Sequence, residues 1–373
     1  MRAERFPLGA GVTVGALEGD PHALLARLRA REPVSWLPAV EGWLVTRRDL
    51  ALAAMRDAGT FTVDDPRFTT AQVVGRSMLS LDGPEHARHR APFVAPLRLG
   101  EVRRRLADAV AEEARRLAGA LAPHGEGELR RGFAGPLAAA AVTHALGLDG
   151  AATGAVLGWY DAIVGAVTDL SAGRPAGPEA ARAVAQLGEA VRLDAPGLTD
   201  AEVFSNVAVL LFGGIETTEG MIANAALHLL ERPDVLAAVR ADPALLPAAV
   251  EESLRLEPAA AVIDRYATRD TELGGAAIAA GELVRISITA ANRDPATFAD
   301  PDRFDLERPN AGRHLAFAAG PHVCVGMHLA RLEAHVALST LLERLPGLEL
   351  AGPAEVRGLI FRKPPELRVR WSE

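Results

Sequence analysis

The chain has 373 residues, of which 49% are hydrophobic, 24% charged and only 5% aromatic, a balance that excludes a disordered chain and allows a large, strongly helical core. A formal net charge of -8 gives a nucleic-acid partner no global electrostatic support, and a single cysteine excludes an internal disulfide, as suits a reducing cytosol. The amino terminus MRAERFPLGAG has no apolar signal core, and the apolar run Val207 to Gly214 falls far short of the ~20 residues of a bilayer span, so the chain reads as soluble, cytoplasmic and without a membrane partner.

In chain order, helical periodicity predicts a helix over 21–30, then strands at Val34–Leu37 and Trp43–Thr46. Helices are predicted over 84–122, 133–147, 152–169, 178–193, 199–232 and 244–256, a strand at Leu283–Ile288, a helix over 326–345, and strands at Leu348–Leu350 and Leu367–Trp371. Segments rich in Gly, Pro and Asp at 170–177, 293–313 and 318–322 punctuate the chain, but none is long enough to link domains. The fold class is mainly α with a minor β region, read as one domain over 1–373.

The predicted helix over 199–232 stands apart. Thr199 and Glu202 form a T-x-x-E capping box, and no proline follows until Pro233. At 1.5 Å per residue it is roughly 50 Å long, and its centre, Val207 to Phe212 with Ile215, is apolar all round, which marks a buried helix. Within it lies Gly213-Gly214-Ile215-Glu216-Thr217-Thr218. Each glycine weakens the helix by about 1 kcal/mol against Ala, and a buried carboxylate needs a partner or water. The Thr217 hydroxyl is spaced to bond the Gly213 carbonyl and so to open a groove for a small ligand such as dioxygen. The ordinary alternative is close helix packing at the glycines, with Glu216 in a buried salt bridge.

The one cysteine sits in Phe317-Ala318-Ala319-Gly320-Pro321-His322-Val323-Cys324-Val325-Gly326, just ahead of a predicted helix. Unpaired backbone N–H groups and the helix dipole favour a thiolate there, and glycines allow a flat group to approach. A thiolate binds soft metals or haem iron. Zinc would find only His322 and His328 nearby, a Cys–His hydrolase could use either histidine as its base, and a lone cysteine is often a small core hydrophobe. A further pattern, Glu252-Ser253-Leu254-Arg255, places acid and base on one side of a short helix, where such pairs are usually solvated.

Together these residues resemble the cytochrome P450 family of haem-thiolate monooxygenases, in its soluble bacterial class. Phe317–Gly326 is similar to the family's F-G-x-G-x-H-x-C-x-G haem loop, Glu252-x-x-Arg255 to its E-x-x-R, and Gly213–Thr217 to its A/G-G-x-D/E-T. Asn292-Arg293-Asp294-Pro295 and Pro301–Phe304 resemble the approach to that loop, and Asp82-Gly83-Pro84-Glu85-His86-x-Arg88-x-Arg90 resembles the family's D-P-P-E-H-x-R-x-R. The resemblance implies haem b (iron protoporphyrin IX) as cofactor. It makes Cys324 the iron ligand, puts Phe317 and Gly326 in the cofactor-binding loop, and assigns His86, Arg90, Arg265 and His322 to the haem propionates. It implies a structural ionic triad of Glu252, Arg255 and Arg303, and it gives Glu216 and Thr217 the delivery of protons during oxygen activation.

The implied reaction inserts one atom of dioxygen into a small, largely apolar organic substrate, a natural-product intermediate, with ferredoxin and ferredoxin reductase as electron donors. An atypical oxidation without net hydroxylation, or a haem protein without turnover, are the alternatives. Substrate contacts are expected from residues 68–79, Leu210, Gly213, Ala259–Ile263 and Leu359–Phe361, and Arg103, Arg104, Arg105, Arg115 and Arg116 form a basic cluster that could attract an acidic ferredoxin. The sequence departs from the family pattern at Ala318, at Gly83 and at Ala279, where Gly, Pro and Pro are usual. The lid region, about 150–198, ends in a connection that looks too short for the family's usual one.

Overall fold

The computed structural model of the chain describes residues 2–148, 152–171, 174–191, 193 and 195–372. In chain order its principal elements are α1 (His22–Arg31), β1 (Val34–Leu37), β2 (Gly42–Val45), α2 (Arg48–Arg56), β3 (Phe61–Thr62), α3 (Thr69–Val74), α4 (Gly83–Val94), α5 (Leu99–Leu121) and β4 (Glu126–Glu128). They continue with α6 (Gly135–Ala145), α7 (Thr153–Ser171), α8 (Pro178–Ala190), α9 (Asp200–Leu230), α10 (Pro233–Ala241), α11 (Leu246–Leu256), β5 (Val262–Ala267), β6 (Thr271–Leu273), β7 (Ala276–Ile278) and β8 (Leu283–Ser287). The chain closes with α12 (Met327–Arg344), β9 (Glu349–Leu350) and β10 (Arg368–Arg370). The class is the expected one, mainly α with a minor β region.

Two compact units divide the chain. The first comprises Met1–Thr62, Ala223–Cys324 and Gly352–Leu367. Its sheet runs in the order β1-β2-β8-β5-β3, with β1 antiparallel to β2 through Trp36↔Trp43 and β2 parallel to β8 through Trp43↔Val284. Val34, Trp43, Val45, Val284 and Ile286 pack with Met55 of α2 and Leu315 into one apolar cluster. The β6–β7 hairpin turns on Gly274 and Gly275 at φ 57° and 82°, the paired positive φ that a type I′ turn requires.

The second unit comprises Val63–Ile222, Val325–Ala351 and Arg368–Glu373. Here α12 packs along α5, and Leu329, Ala334, Ala337 and Leu341 of the one and Leu106, Val110, Ala114 and Leu117 of the other are buried. The predicted helix over 84–122 is in fact two. Pro96, which has no N–H to continue the ladder, sits in a tight turn at Ala95–Leu97, and Arg98 is extended at ψ 149° before α5 begins.

The long helix α9 begins where the capping box places it. Thr199 N donates to Glu202 Oε2 at 2.8 Å, and Glu202 N donates to Thr199 Oγ1 at 3.4 Å. Its 31 residues span about 46 Å and remain α-helical through Gly213–Thr218. Helix α8 ends at Ala190, so residues 191–199 alone connect it to α9, with a turn in which Leu198 N donates to the Ala195 carbonyl. Within the expected lid region, Gly150, Ala151, Ala172, Gly173, Arg192 and Asp194 lie outside the described residues.

Candidate active site

Of the residues singled out by sequence, Arg265, Phe317, His322 and Cys324 belong to the first unit. His86, Arg90, Glu216, Thr217 and Gly326 belong to the second.

In the first unit the Phe317–Cys324 segment is held by its own backbone. Cys324 N donates to the Phe317 carbonyl at 2.9 Å, and Gly320–His322 makes one tight helical turn inside the loop. Gly320 has φ 73°, and a Cβ there would lie 2.5 Å from the Met55 carbonyl oxygen, so only glycine fits. Ala318, which stands where the family usually has Gly, adopts φ 56°, a left-handed conformation that an L side chain enters at a cost of about 1–2 kcal/mol. The loop is also braced from upstream. Leu315 N donates to Asn292 Oδ1 at 2.6 Å, and His314 accepts from Ala316 N on Nδ1 while its Nε2 donates to Glu251.

Beneath this loop Glu252 and Arg255 are both fully buried and form a fork, Nε to Oε2 at 2.7 Å and Nη2 to Oε1 at 2.8 Å. The third member of the triad is not Arg303. Arg308 supplies it, its Nε donating to Glu252 Oε1 at 2.9 Å, while Arg303 contributes only its carbonyl oxygen, which accepts from Arg255 and Arg308 at 3.0 Å each. Five residues of irregular chain carry Arg308 back to the carboxylate, where Arg303 already spends its backbone. The two guanidinia also bind the carbonyls of Asn292, Pro301, Ala299 and Asp300, so that the triad straps down the 292–308 segment.

Arg265 lies on β5, opposite Val284 of β8, and is buried, with Nη1 donating to the Asp264 carbonyl. Its neighbour pair, Asp264 and Arg285, meets across the same two strands in a two-bond fork at 2.7 Å.

In the second unit His86 is buried and Arg90 half-buried on α4. Gly83, at the start of α4, has φ 61°, an angle closed to the proline usual in the family. Between His86 and Arg90 lie Arg88, which the motif contains without a role, and His89, which it leaves open. Arg88 donates to Glu85 at 2.7 Å and to Glu202 at 2.5 Å, and its hydrogen bonds hold the Glu202 carboxyl far below the usual range. His89 accepts from Asn206 Nδ2 on Nδ1 at 3.0 Å and so donates from Nε2 to Glu202, at 3.3 Å. Asn206 Oδ1 in turn accepts from Met78 N. Glu85, His89 and Glu202 have metal-ligand atoms within 4.8 Å of one another, but the Arg88 guanidinium lies against both carboxylates. This cluster ties α4 and residues near 78 to the first turns of α9.

Further along α9 the Thr217 hydroxyl donates to the Gly213 carbonyl at 2.6 Å, as the spacing predicts, without interrupting the helix. The two glycines differ. A Cβ at Gly214 would meet Val142 of α6 at 2.9 Å, so this glycine serves close helix packing, whereas a Cβ at Gly213 would meet nothing within 4 Å. Glu216 is buried, and its carboxylate accepts a hydrogen bond from the Tyr160 hydroxyl of α7. One turn on, Glu219 makes a buried salt bridge, facing Arg130 at 3.3 Å and Arg131 at 3.7 Å.

The residues fit a haem. Free cysteine ranks among the most buried of residues, yet Cys324 is exposed at the end of a loop whose backbone is pinned on both sides. Neither Gly326 nor Gly213 would bring a Cβ within 4 Å of another atom, which leaves room beside each for a flat group or a small ligand. Zinc ligation gains nothing, because Cys324 and its neighbouring histidines are not among the described groups that could hold a metal ion.

A family model described as Cytochrome P450 matches residues 185–346. The chain is 36% identical to Nocardicin C N-oxygenase of Nocardia uniformis subsp. tsuyamanensis, over 95% of this chain and 97% of that protein. It is 34% identical to cytochrome P450 monooxygenase PikC of Streptomyces venezuelae, over 94% and 91%. Among solved structures, CalO2 superposes with TM-score 0.86 at 30% identity, covering 95% of this chain and 96% of that one. P450BioI, solved with an acyl carrier protein bearing hexadec-9-enoic acid, gives 0.85 at 29%, covering 95% and 99%. The chain belongs to the cytochrome P450 family. It is a monooxygenase, an oxidoreductase that uses a haem-thiolate cofactor, dioxygen and electrons from a redox partner. Among the described residues no helix is long and apolar enough to cross a membrane.

Proposed function

We propose that the enzyme is a cytoplasmic haem b monooxygenase that inserts one oxygen atom into a small, largely apolar natural-product intermediate, with electrons from a separate ferredoxin and ferredoxin reductase. The whole chain acts as one catalytic domain, with 150–198 as its lid. The observation that carries the reading is the exposed Cys324 thiol on its braced loop. Relatives whose names specify oxygenation of nocardicin C and of a mycaminosyltylactone support the substrate class, as do the small and aliphatic residues at Leu210, Gly213, Ala259–Ile263 and Leu359–Ile360.

When bound, haem would supply the oxygen-activating chemistry, and a cysteine thiolate ligand would contribute electron density to it. In this reading Cys324 is that ligand, Phe317 and Gly326 frame the cofactor, and His86, Arg90, Arg265 and His322 bind the propionates, to which Arg offers two parallel N–H bonds. Glu216 passes a proton toward the Thr217 hydroxyl and regains one from solvent, which is general acid–base work.

The spectrum of the reduced protein with carbon monoxide tests the ligand. Cys324 predicts the red-shifted Soret band that gives the family its number, and its loss in Cys324→Ser. A colourless protein after haem supplementation overturns the reading. Substrate-induced spectral shifts across a panel of apolar natural products then test the substrate class, and a panel with no shift counts against it.

A further inference from the structure

Two carboxylates stand one turn apart on α9, and the fold gives them different partners. Glu219, fully buried, faces the guanidinia of Arg130 and Arg131, from the turn that precedes α6. Arg131 also reaches Asp161 of α7 at 3.2 Å. Glu216 accepts from the hydroxyl of Tyr160, which is 1% exposed. A guanidinium holds a carboxylate by an ion pair, whereas a phenol holds it through a single directional hydrogen bond that brings no opposite charge. Burial pushes the Tyr160 hydroxyl well above its ordinary range, and the Glu216 charge adds to it, so the phenol stays protonated and remains the donor.

We propose that Tyr160 is a positioning residue for Glu216: its hydroxyl, carried on α7, sets where the carboxylate sits and thereby its capacity to pass a proton toward Thr217. The inference rests on the reading that Glu216 and Thr217 move protons, and it assigns a role to a residue of the lid region that no motif marks. Because the contact joins α7 to α9, proton delivery depends on α7 being seated.

The test compares Y160F, E216Q and the double variant as holoenzymes, with a substrate chosen by its spectral shift. Y160F should lower product formed per electron pair roughly tenfold, less than the about hundredfold loss of a general acid, and should shift the pH profile of turnover. In the E216Q background the same change should add nothing. An equal loss in both backgrounds identifies a merely structural tyrosine and overturns the proposal. Unchanged coupling in Y160F beside a large loss in E216Q also overturns it, but leaves Glu216 in the proton path. Unchanged coupling in E216Q removes Glu216 from that path and the proposal with it. A second readout needs no turnover. The chain has only two tyrosines, Tyr160 and Tyr266. In the ferrous carbonyl form, labelled with ring carbon-13 tyrosine, E216Q should move one phenol resonance, the one that Y160F deletes. If that resonance does not move, the positioning contact is absent from solution and the proposal falls, even if Y160F fails to keep its haem.

Discussion

Arg308 Nε donates to Glu252 Oε1 at 2.9 Å, with the Arg308 side chain 4% and the Glu252 side chain 0% exposed. Arg255 keeps Glu252 paired when Arg308 is removed, so what Arg308→Ala loses is one of two guanidinia on that carboxylate and the donor to the Ala299, Asp300 and Arg303 carbonyls. The variant should cost about 1–3 kcal/mol, and should lose haem as the 292–308 segment loosens. Arg303→Ala keeps the carbonyl through which Arg303 acts and should stay within about 0.5 kcal/mol of the parent. Denaturant unfolding with haem absorbance as the second signal checks both. Equal losses in the two variants would return Arg303 to the triad.

The two left-handed positions of the cysteine loop make a paired prediction. Ala318→Gly relieves about 1–2 kcal/mol of backbone strain against about 0.4–1 kcal/mol of added unfolded-state entropy, so the change should be neutral to slightly stabilising. Gly320→Ala adds the same strain and drives a Cβ to 2.5 Å from the Met55 carbonyl oxygen, so it should cost at least about 2 kcal/mol and most of the bound haem. Thermal midpoints and haem content measured side by side decide the matter. A destabilised Ala318→Gly contradicts the strain argument.

His228 makes stability depend on pH. It lies buried beside Ser253, whose Oγ is 2.9 Å from Nδ1, and burial, with a smaller repulsion from Arg232, pulls its pKa down to about 3. The folded value lies below the unfolded one of about 6.5, so the unfolded chain takes up the proton first. The stabilisation is complete above about pH 6.5 and is lost as pH falls toward 3, by about 1.4 kcal/mol per pH unit. Unfolding free energies between pH 6.5 and 4 should show this slope, and His228→Gln should flatten it by the same amount. A slope unchanged in the variant assigns the pH dependence elsewhere.

Arg103, Arg104 and Arg105 are exposed in succession on α5, and Arg104 is paired to Glu101. If they attract an acidic ferredoxin, the reduction rate at limiting partner should fall as ionic strength rises, and Arg103→Glu with Arg105→Glu should remove most of that dependence. Stopped-flow reduction at several salt concentrations measures it. Rates indifferent to salt dismiss α5 as a docking face.

Much of the site was legible because its signals are local. The capping box at Thr199, the Thr217 bond to Gly213 and the glycine at 320 each follow from residues close in sequence, whose geometry the backbone alone prescribes. Element ends were less legible. The two-residue strand β3 exists only through its pairing with β5, and of the two prolines inside the predicted 84–122 helix, Pro92 stays within α4 while Pro96 sits in the break at Ala95–Arg98.

By itself the sequence determined the class of chain, the single cysteine and its glycine-bearing loop, and the long apolar helix with its acid and hydroxyl. Tertiary structure decided the partners. Arg303 and Arg308 are equivalent candidates in an irregular loop until the fold delivers one side chain, and only the carbonyl of the other, to Glu252. Tyr160 and Glu216 are 56 residues apart, and no spacing rule relates a residue of α7 to one of α9. Cys324 could have been a buried hydrophobe on composition alone, and what separates it from one is exposure, a property that only packing confers.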